Sequence, residues 1–254
     1  MTTQPAPFVW YDLMTTDMPA ASKFYASVVG WKIEDSGMSG QNYNILKMSD
    51  KMVGGMMATP PGAPFPPMWC SYIYSDDVDA DVKRVEKAGG KVYKPADDIP
   101  EVGRFAVVAD PQGSMFNLFK PMGGDSGGSA GNNAPGAIGW RELRASDGKA
   151  AWDFYQKMFG WTKSTAMEMG PAGVYQIFKT TGDDETGAVM TKQSDQSPGW
   201  FLYFNVAELD AAVDRVKAGS GKLTNGPMEV PGSMWIVNAS DPQGAAFGLV
   251  APKR

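Results

Sequence analysis

The chain has 254 residues, of which none is histidine and only Cys70 is cysteine. These counts exclude Ser-His-Asp and Cys-His catalysis, zinc sites built from Cys and His, and the two-His-one-carboxylate iron site, so any metal would need oxygen ligands. With 43% hydrophobic residues and a formal charge of −5, the composition is that of a globular protein long enough for two domains at about 150 residues each, without a basic footprint for nucleic acid.

The first residues form neither a basic nor an apolar leader, and no apolar run approaches the roughly 20 residues of a membrane span. A single cysteine allows no internal disulfide, and the expected location is the cytoplasm. Seventeen Met against eight Leu suit either a Met-rich core or an adaptable binding surface.

Taken in order, Phe8 to Thr15 reads as a strand. Asp17 follows as a helix N-cap, with Pro19 in the first turn, where a missing N–H is harmless. Ala21, Phe24, Tyr25 and Val28 then fall at i, i+3, i+4 and i+7, one apolar face ending at Gly30. Short strands are expected at 31–35, 42–48 and 52–58. After the Pro-rich stretch 60–67 comes a strand from Trp69 to Tyr74 and a helix from about Asp77 with Val78, Val82, Val85 and Ala88 on one face. Strands at 91–94, 104–109 and 114–119 follow, the last two joined by a tight turn at Asp110-Pro-Gln-Gly113.

The chain then repeats itself. Trp10, Leu13, Ala21, Phe24, Tyr25, Gly30 and Trp31 match Trp140, Leu143, Ala151, Phe154, Tyr155, Gly160 and Trp161 at an offset of 130. Tyr43, Ile45 and Lys47 match Tyr175, Ile177 and Lys179 at 132. Trp69, Tyr72, Val82, Val85 and Gly90 match Trp200, Tyr203, Val213, Val216 and Gly221 at 131, and Asp110-Pro-Gln-Gly113 matches Asp241-Pro-Gln-Gly244. A Gly-, Ser- and Asn-rich stretch lies between the copies. The expected organisation is a domain at 1–121, a linker at 122–137 and a second domain at 138–254.

A doubled βαβββ unit with a Trp-Tyr-Asp-Leu-Met-Thr-Thr-Asp opening, a Phe-Tyr…Gly-Trp helix end and a closing Asp-Pro-Gln-Gly turn resembles the vicinal oxygen chelate superfamily, which includes glyoxalases, extradiol dioxygenases and bleomycin-resistance proteins. The resemblance implies an α+β fold of two tandem glyoxalase-like domains, each a pair of modules forming a cup-shaped, partly open barrel. In metal-dependent members His, Glu or Gln on the first, fifth and eighth strands hold a divalent ion. The matching positions are Trp10, Cys70 and Asn117 in the first half and Trp140, Phe201 and Gly248 in the second, with a fourth-strand place near Met56 or Met57 and near Met190. None carries a carboxylate or an imidazole, so neither metal nor other cofactor is expected.

Strand alternation puts Trp10, Asp12 and Met14 on the cup face with Cys70, Tyr72 and Asn117, and in the second half Trp140, Glu142 and Arg144 with Phe201, Tyr203 and Gly248. These are aromatic walls with a few polar groups, the make-up of a small-molecule pocket. Gly248 and Ala246 replace Asn117 and Met115, so the second cup is expected to be the roomier. Trp10 and Trp140 either fill space or stack on a planar ligand. Asp12 and Glu142 are candidate general bases, or else pair with a neighbouring Arg or meet water at the mouth. Arg144 is placed either to pair with Glu142 or to hold an anionic substrate. Cys70 reads as an inert buried thiol, Arg141 as structural, and Asp79, Asp81, Lys83 and Arg84 as a solvated helix face. The reading is a protein, monomeric or homodimeric, that binds a small hydrophobic or aromatic molecule in metal-free cups, with no nucleic-acid or membrane partner. The alternatives are a glyoxalase- or dioxygenase-type enzyme using Asp12, Glu142 and Arg144, and a catalytically silent protein.

Overall fold

A computed structural model describes residues 5–38, 40, 42–63, 65–123, 133–170, 173–194 and 196–254. Most of the expected linker, 124–132, lies outside them. The first half runs β1 (Phe8–Thr15), α1 (Met18–Val28), β2 (Lys32–Asp35), β3 (Tyr43–Met48), β4 (Lys51–Ala58), β5 (Met68–Tyr74), α2 (Val78–Lys87), β6 (Lys91–Ile99), β7 (Gly103–Ala109) and β8 (Met115–Pro121). The second repeats it as β9 (Ile138–Ala145), α3 (Gly148–Phe159), β10 (Thr162–Glu168), β11 (Val174–Lys179), β12 (Gly187–Thr191), β13 (Gly199–Asn205), α4 (Leu209–Ala218), β14 (Lys222–Val230), β15 (Met234–Ser240) and β16 (Ala246–Ala251). No described helix is long and apolar enough to cross a membrane.

The helix signals act as the sequence suggests. Asp17, Asp77 and Asp147 each accept a backbone N–H three residues on, from Ala20, Ala80 and Ala150, which satisfies one of the orphan donors of each first turn. The strands form two eight-stranded mixed sheets, ordered β2-β3-β4-β1-β5-β8-β7-β6 and β10-β11-β12-β9-β13-β16-β15-β14. In each the module's first strand runs parallel to its last, β1 with β4, β5 with β8, β9 with β12 and β13 with β16, while the remaining registered pairs are antiparallel. Neither sheet closes into a barrel. β6 outruns its expected 91–94, extending to Ile99 through register shifts that accommodate Pro95.

Packing divides the chain into two compact units that each draw on both halves. One comprises Met1–Trp10, Cys70–Ala130 and Arg141–Trp200, the other Tyr11–Trp69, Gly131–Trp140 and Phe201–Arg254. The motif residues explain this grouping. In the first unit the Trp200 indole donates to the Tyr155 hydroxyl at 3.1 Å, and that hydroxyl donates to Asp110 Oδ2 at 3.3 Å. The second unit holds the same chain at 3.0 and 3.2 Å, from Trp69 through Tyr25 to Asp241. Each aspartate spends its other oxygen inside its own turn: Asp110 Oδ1 accepts from the Gln112 and Ser114 amides, and Asp241 Oδ1 from those of Gln243 and Ala245. Aromatic rings surround each chain. Tyr155 stacks on Trp161 at 5.3 Å, Trp161 on Phe178 at 4.7 Å, and Tyr25 on Trp31 at 5.8 Å.

Two expectations need correction. Asp81 is not on a solvated face: it is buried and accepts from Ser75 Oγ at 2.7 Å and from Arg84 at 2.6 Å. Arg84 then caps the end of α3, donating to the Lys157 and Met158 carbonyls, where a cation also meets the negative end of the helix.

Burial, and secondarily the facing Asp241 or Asp110 carboxylate, pushes the Tyr25 and Tyr155 hydroxyls well above their ordinary value of 10.0. The folded chain therefore keeps two protons that the unfolded chain releases at that pH, so stability present below about pH 10 is lost as pH rises further. Urea unfolding should show midpoints falling above pH 10. Tyr155→Phe should cost about 1–3 kcal/mol at neutral pH by leaving Asp110 Oδ2 without its donor, and should flatten the alkaline fall.

Candidate binding face

Along β1, Tyr11, Leu13 and Thr15 are wholly buried, whereas Trp10 and Met14 are half-buried and Asp12 is 4% exposed. The former set faces the helices, as the contact of Met56, paired with Leu13, with Ser22 of α1 also shows. Trp10, Asp12 and Met14 therefore line the opposite face. In the first unit the same alternation sets Cys70, Tyr72 and Asn117 opposite Phe116 and Leu118, which turn inward and are fully buried. In the second unit the same alternation sets Trp140, Phe201, Tyr203 and Gly248 apart from Leu202, Phe204, Phe247 and Leu249, which turn inward and are fully buried. Arg141 belongs to the helix side: it is fully buried, its guanidinium 5.8 Å from the Phe8 ring.

The carboxylates are engaged by neighbours. In the second unit the Tyr43 hydroxyl donates to Asp12 Oδ1 at 2.7 Å. It crosses Gly55, the residue paired with Asp12, where a Cβ would overlap both the hydroxyl and the carboxylate. In the first unit Tyr175 donates to Glu142 Oε2 at 3.0 Å, and Arg144 Nε donates to Glu142 Oε1 at 2.7 Å. Both partners of that ion pair have side chains only 8% exposed. Of the readings open for Glu142, the geometry gives the pair with Arg144. A carboxylate with a donor on each oxygen is poorly placed to take a proton from a ligand. Tyr43 and Tyr175 were visible in the sequence as a matched pair, but as strand residues; nothing in their spacing pointed to the carboxylates.

The positions where metal-dependent relatives place ligands do not suit a divalent ion. In the first unit Asn117 Nδ2 approaches Cys70 Sγ at 3.4 Å, one amide and one thiol where a hard cation takes several oxygens. In the second unit Phe201 and Tyr203 pack edge to face at 5.2 Å. The Tyr203 ring lies over Gly248, where an added Cβ would overlap it. The space that Gly248 leaves is thus filled by Tyr203, and the expected roominess is not found there. On the fourth strands Met56 faces the helices, Met57 pairs with Met14, and Met190 pairs with Arg144. Among the described residues no three Cys, Asp or Glu side chains cluster to hold a metal ion.

A duplicated βαβββ module, folded into two eight-stranded mixed sheets with the turn aspartates buried, defines the glyoxalase-like class. The model of the Glyoxalase/Bleomycin resistance protein/Dioxygenase superfamily matches residues 8–118 and 137–249, and the chain belongs to that family. It is 36% identical over 248 residues, 96% of this chain and 94% of the relative, to a protein of Mycobacterium tuberculosis that carries the provisional name glyoxylase CFP32. It is 31% identical over 265 residues, 97% of this chain and 93% of the relative, to the anthracycline biosynthesis protein DnrV of Streptomyces peucetius. Among solved structures it resembles the Mn(II)-bound glyoxalase of Novosphingobium aromaticivorans, with TM-score 0.67, 15% identity and coverage of 98% and 83%. The 2,3-dioxygenase LapB of Pseudomonas sp. KL28 is also similar, with TM-score 0.65, 13% identity and coverage of 98% and 91%.

Removing one member of a buried ion pair leaves the other charge uncompensated, whereas replacing both removes the desolvation penalty as well. Arg144→Met should therefore cost about 3 kcal/mol or more in urea unfolding. Glu142→Leu/Arg144→Met should recover most of it, a non-additivity read directly from a double-mutant cycle.

Proposed function

We propose that the chain binds a small hydrophobic or aromatic molecule on these sheet faces without the help of a metal. The observation that carries this reading is the identity of the side chains at the six ligand places: Trp10, Cys70, Asn117, Trp140, Phe201 and Gly248. Two indoles, a phenyl ring and a glycine cannot ligate a divalent ion, and the thiol and amide that remain are in contact with each other. Rings and thioethers such as Met14 and Met57 suit a flat apolar ligand instead, through area burial and offset or edge-to-face stacking. The relative named for anthracycline biosynthesis is in keeping with this, since anthracyclines are fused aromatic systems. The expected division into domains 1–121 and 138–254 would give one such face per half.

Glyoxalase- or dioxygenase-type turnover is the rival reading, and the mycobacterial relative's name favours it. Against it stand the two donors on Glu142 and the tyrosine on Asp12. Titration with a fused-ring quinone, followed by quenching of tryptophan fluorescence, tests the proposal. Saturable binding, unchanged by EDTA or by micromolar Mn(II) or Ni(II), is expected. Affinity that collapses in EDTA and returns with the metal would overturn the metal-free reading. Turnover of a thiohemiacetal or a catechol that is lost in Glu142→Gln would establish the enzyme instead.

A further inference from the structure

Two buried carboxamides stand unexplained by packing. Asn117 is 4% exposed and Asn238 8% exposed, and the Oδ1 atom of each is buried with no hydrogen-bond partner among the described residues. Position 238 is equivalent to 107, and 248 to 117, by the 131-residue offset. In the first unit Asn117 on β8 pairs with Val107 on β7; in the second, Asn238 on β15 pairs with Gly248 on β16. Each sheet thus carries one carboxamide on the same rung, on opposite strands of the pair. The residues that replace them in the other half, Val107 and Gly248, show that the rung accepts an apolar or absent side chain. A buried carbonyl without a donor is costly, and the fold has no need of it here.

Each residue pairs across the sheet with a position that carries or underlies an aromatic ring. Asn117 pairs with Tyr72 on its other side, and the Tyr72 ring meets Phe119 at 5.9 Å and 88°. Gly248, the partner of Asn238, lies under Tyr203, whose ring meets Phe201 at 68°. We propose, building on the aromatic-ligand reading, that Asn117 and Asn238 are ligand anchors whose Oδ1 atoms accept a hydrogen bond from a hydroxylated aromatic molecule, a phenol or quinol. An acceptor beside an aromatic wall selects rings bearing an O–H over the same rings without one, because only the former satisfy the carbonyl as they exclude water from it.

Calorimetry on the full chain with 2-naphthol and 2-methoxynaphthalene tests this. The two probes share the fused ring, and only the first has a donor. A net hydrogen bond corresponds to a preference of about three- to tenfold for 2-naphthol. Asn238→Val, which installs the first half's residue, and Asn117→Leu should together remove the preference. Each should also raise Tm by a few degrees, because an unsatisfied buried carbonyl is gone. Equal binding of both probes by the unaltered chain would overturn the donor requirement and leave the aromatic reading standing. Binding of neither would overturn the aromatic reading itself. A preference that survives in the double variant would overturn the assignment to Asn117 and Asn238.

Discussion

A buried hydrogen-bonded chain of indole, phenol and carboxylate recurs in both units, and the rest of the molecule is arranged around it. Tyr25 and Tyr155 belong to the module-opening helices, while Asp241 and Asp110 belong to turns of the opposite halves. Each tyrosine is wholly buried, and each aspartate is at most 3% exposed. A carboxylate so placed is tolerable only when its oxygens are satisfied, and here one is used within the Asp-Pro-Gln-Gly turn and the other takes the tyrosine. That single requirement orders the turn, the helix and the Trp69 or Trp200 strand together. Burial holds the Asp241 carboxyl above its ordinary range even so, with its hydrogen bonds opposing the shift.

The two sides of the sheets are built from different chemistry. The inward side of the central strands is given to helices and aromatic packing, while the opposite side carries Trp10, Tyr72, Trp140 and Tyr203. Its polar groups are few and mostly matched: Asp12 with Tyr43, Glu142 with Tyr175 and Arg144. These rings, thioethers and satisfied carboxylates are the features on which the proposed apolar recognition rests.

The fold was legible because the repeat wrote it twice. Strand alternation, the aspartate caps and the Asp-Pro-Gln-Gly turns depend on local chemistry, and local chemistry is visible in a single chain. In the sequence, Trp10, Cys70, Asn117 and their counterparts were grouped by the family's ligand places, and period-two alternation extended the group. What it did not show were contacts between residues far apart in order. The Tyr43 and Tyr175 hydroxyls reach carboxylates 31 and 33 residues away. The inward turn of Asp81 was missed although its partners are near in order, because helix spacing alone did not show that Ser75 and Arg84 converge on it. Asn238 escaped notice because it stands where the halves differ, and comparing halves draws attention to matches. The space above Gly248 looked empty for the same reason, since the ring that fills it comes from another strand.

In the function proposed above, this family's metal-holding places have been given over to aromatic recognition. The most direct measurement is the metal content of the purified full-length chain, by inductively coupled plasma mass spectrometry, after growth with added manganese, iron, nickel and zinc and without chelator. Metal far below one equivalent per chain is expected for every element. A stoichiometry approaching one or two equivalents of any of them, retained through gel filtration, would contradict it.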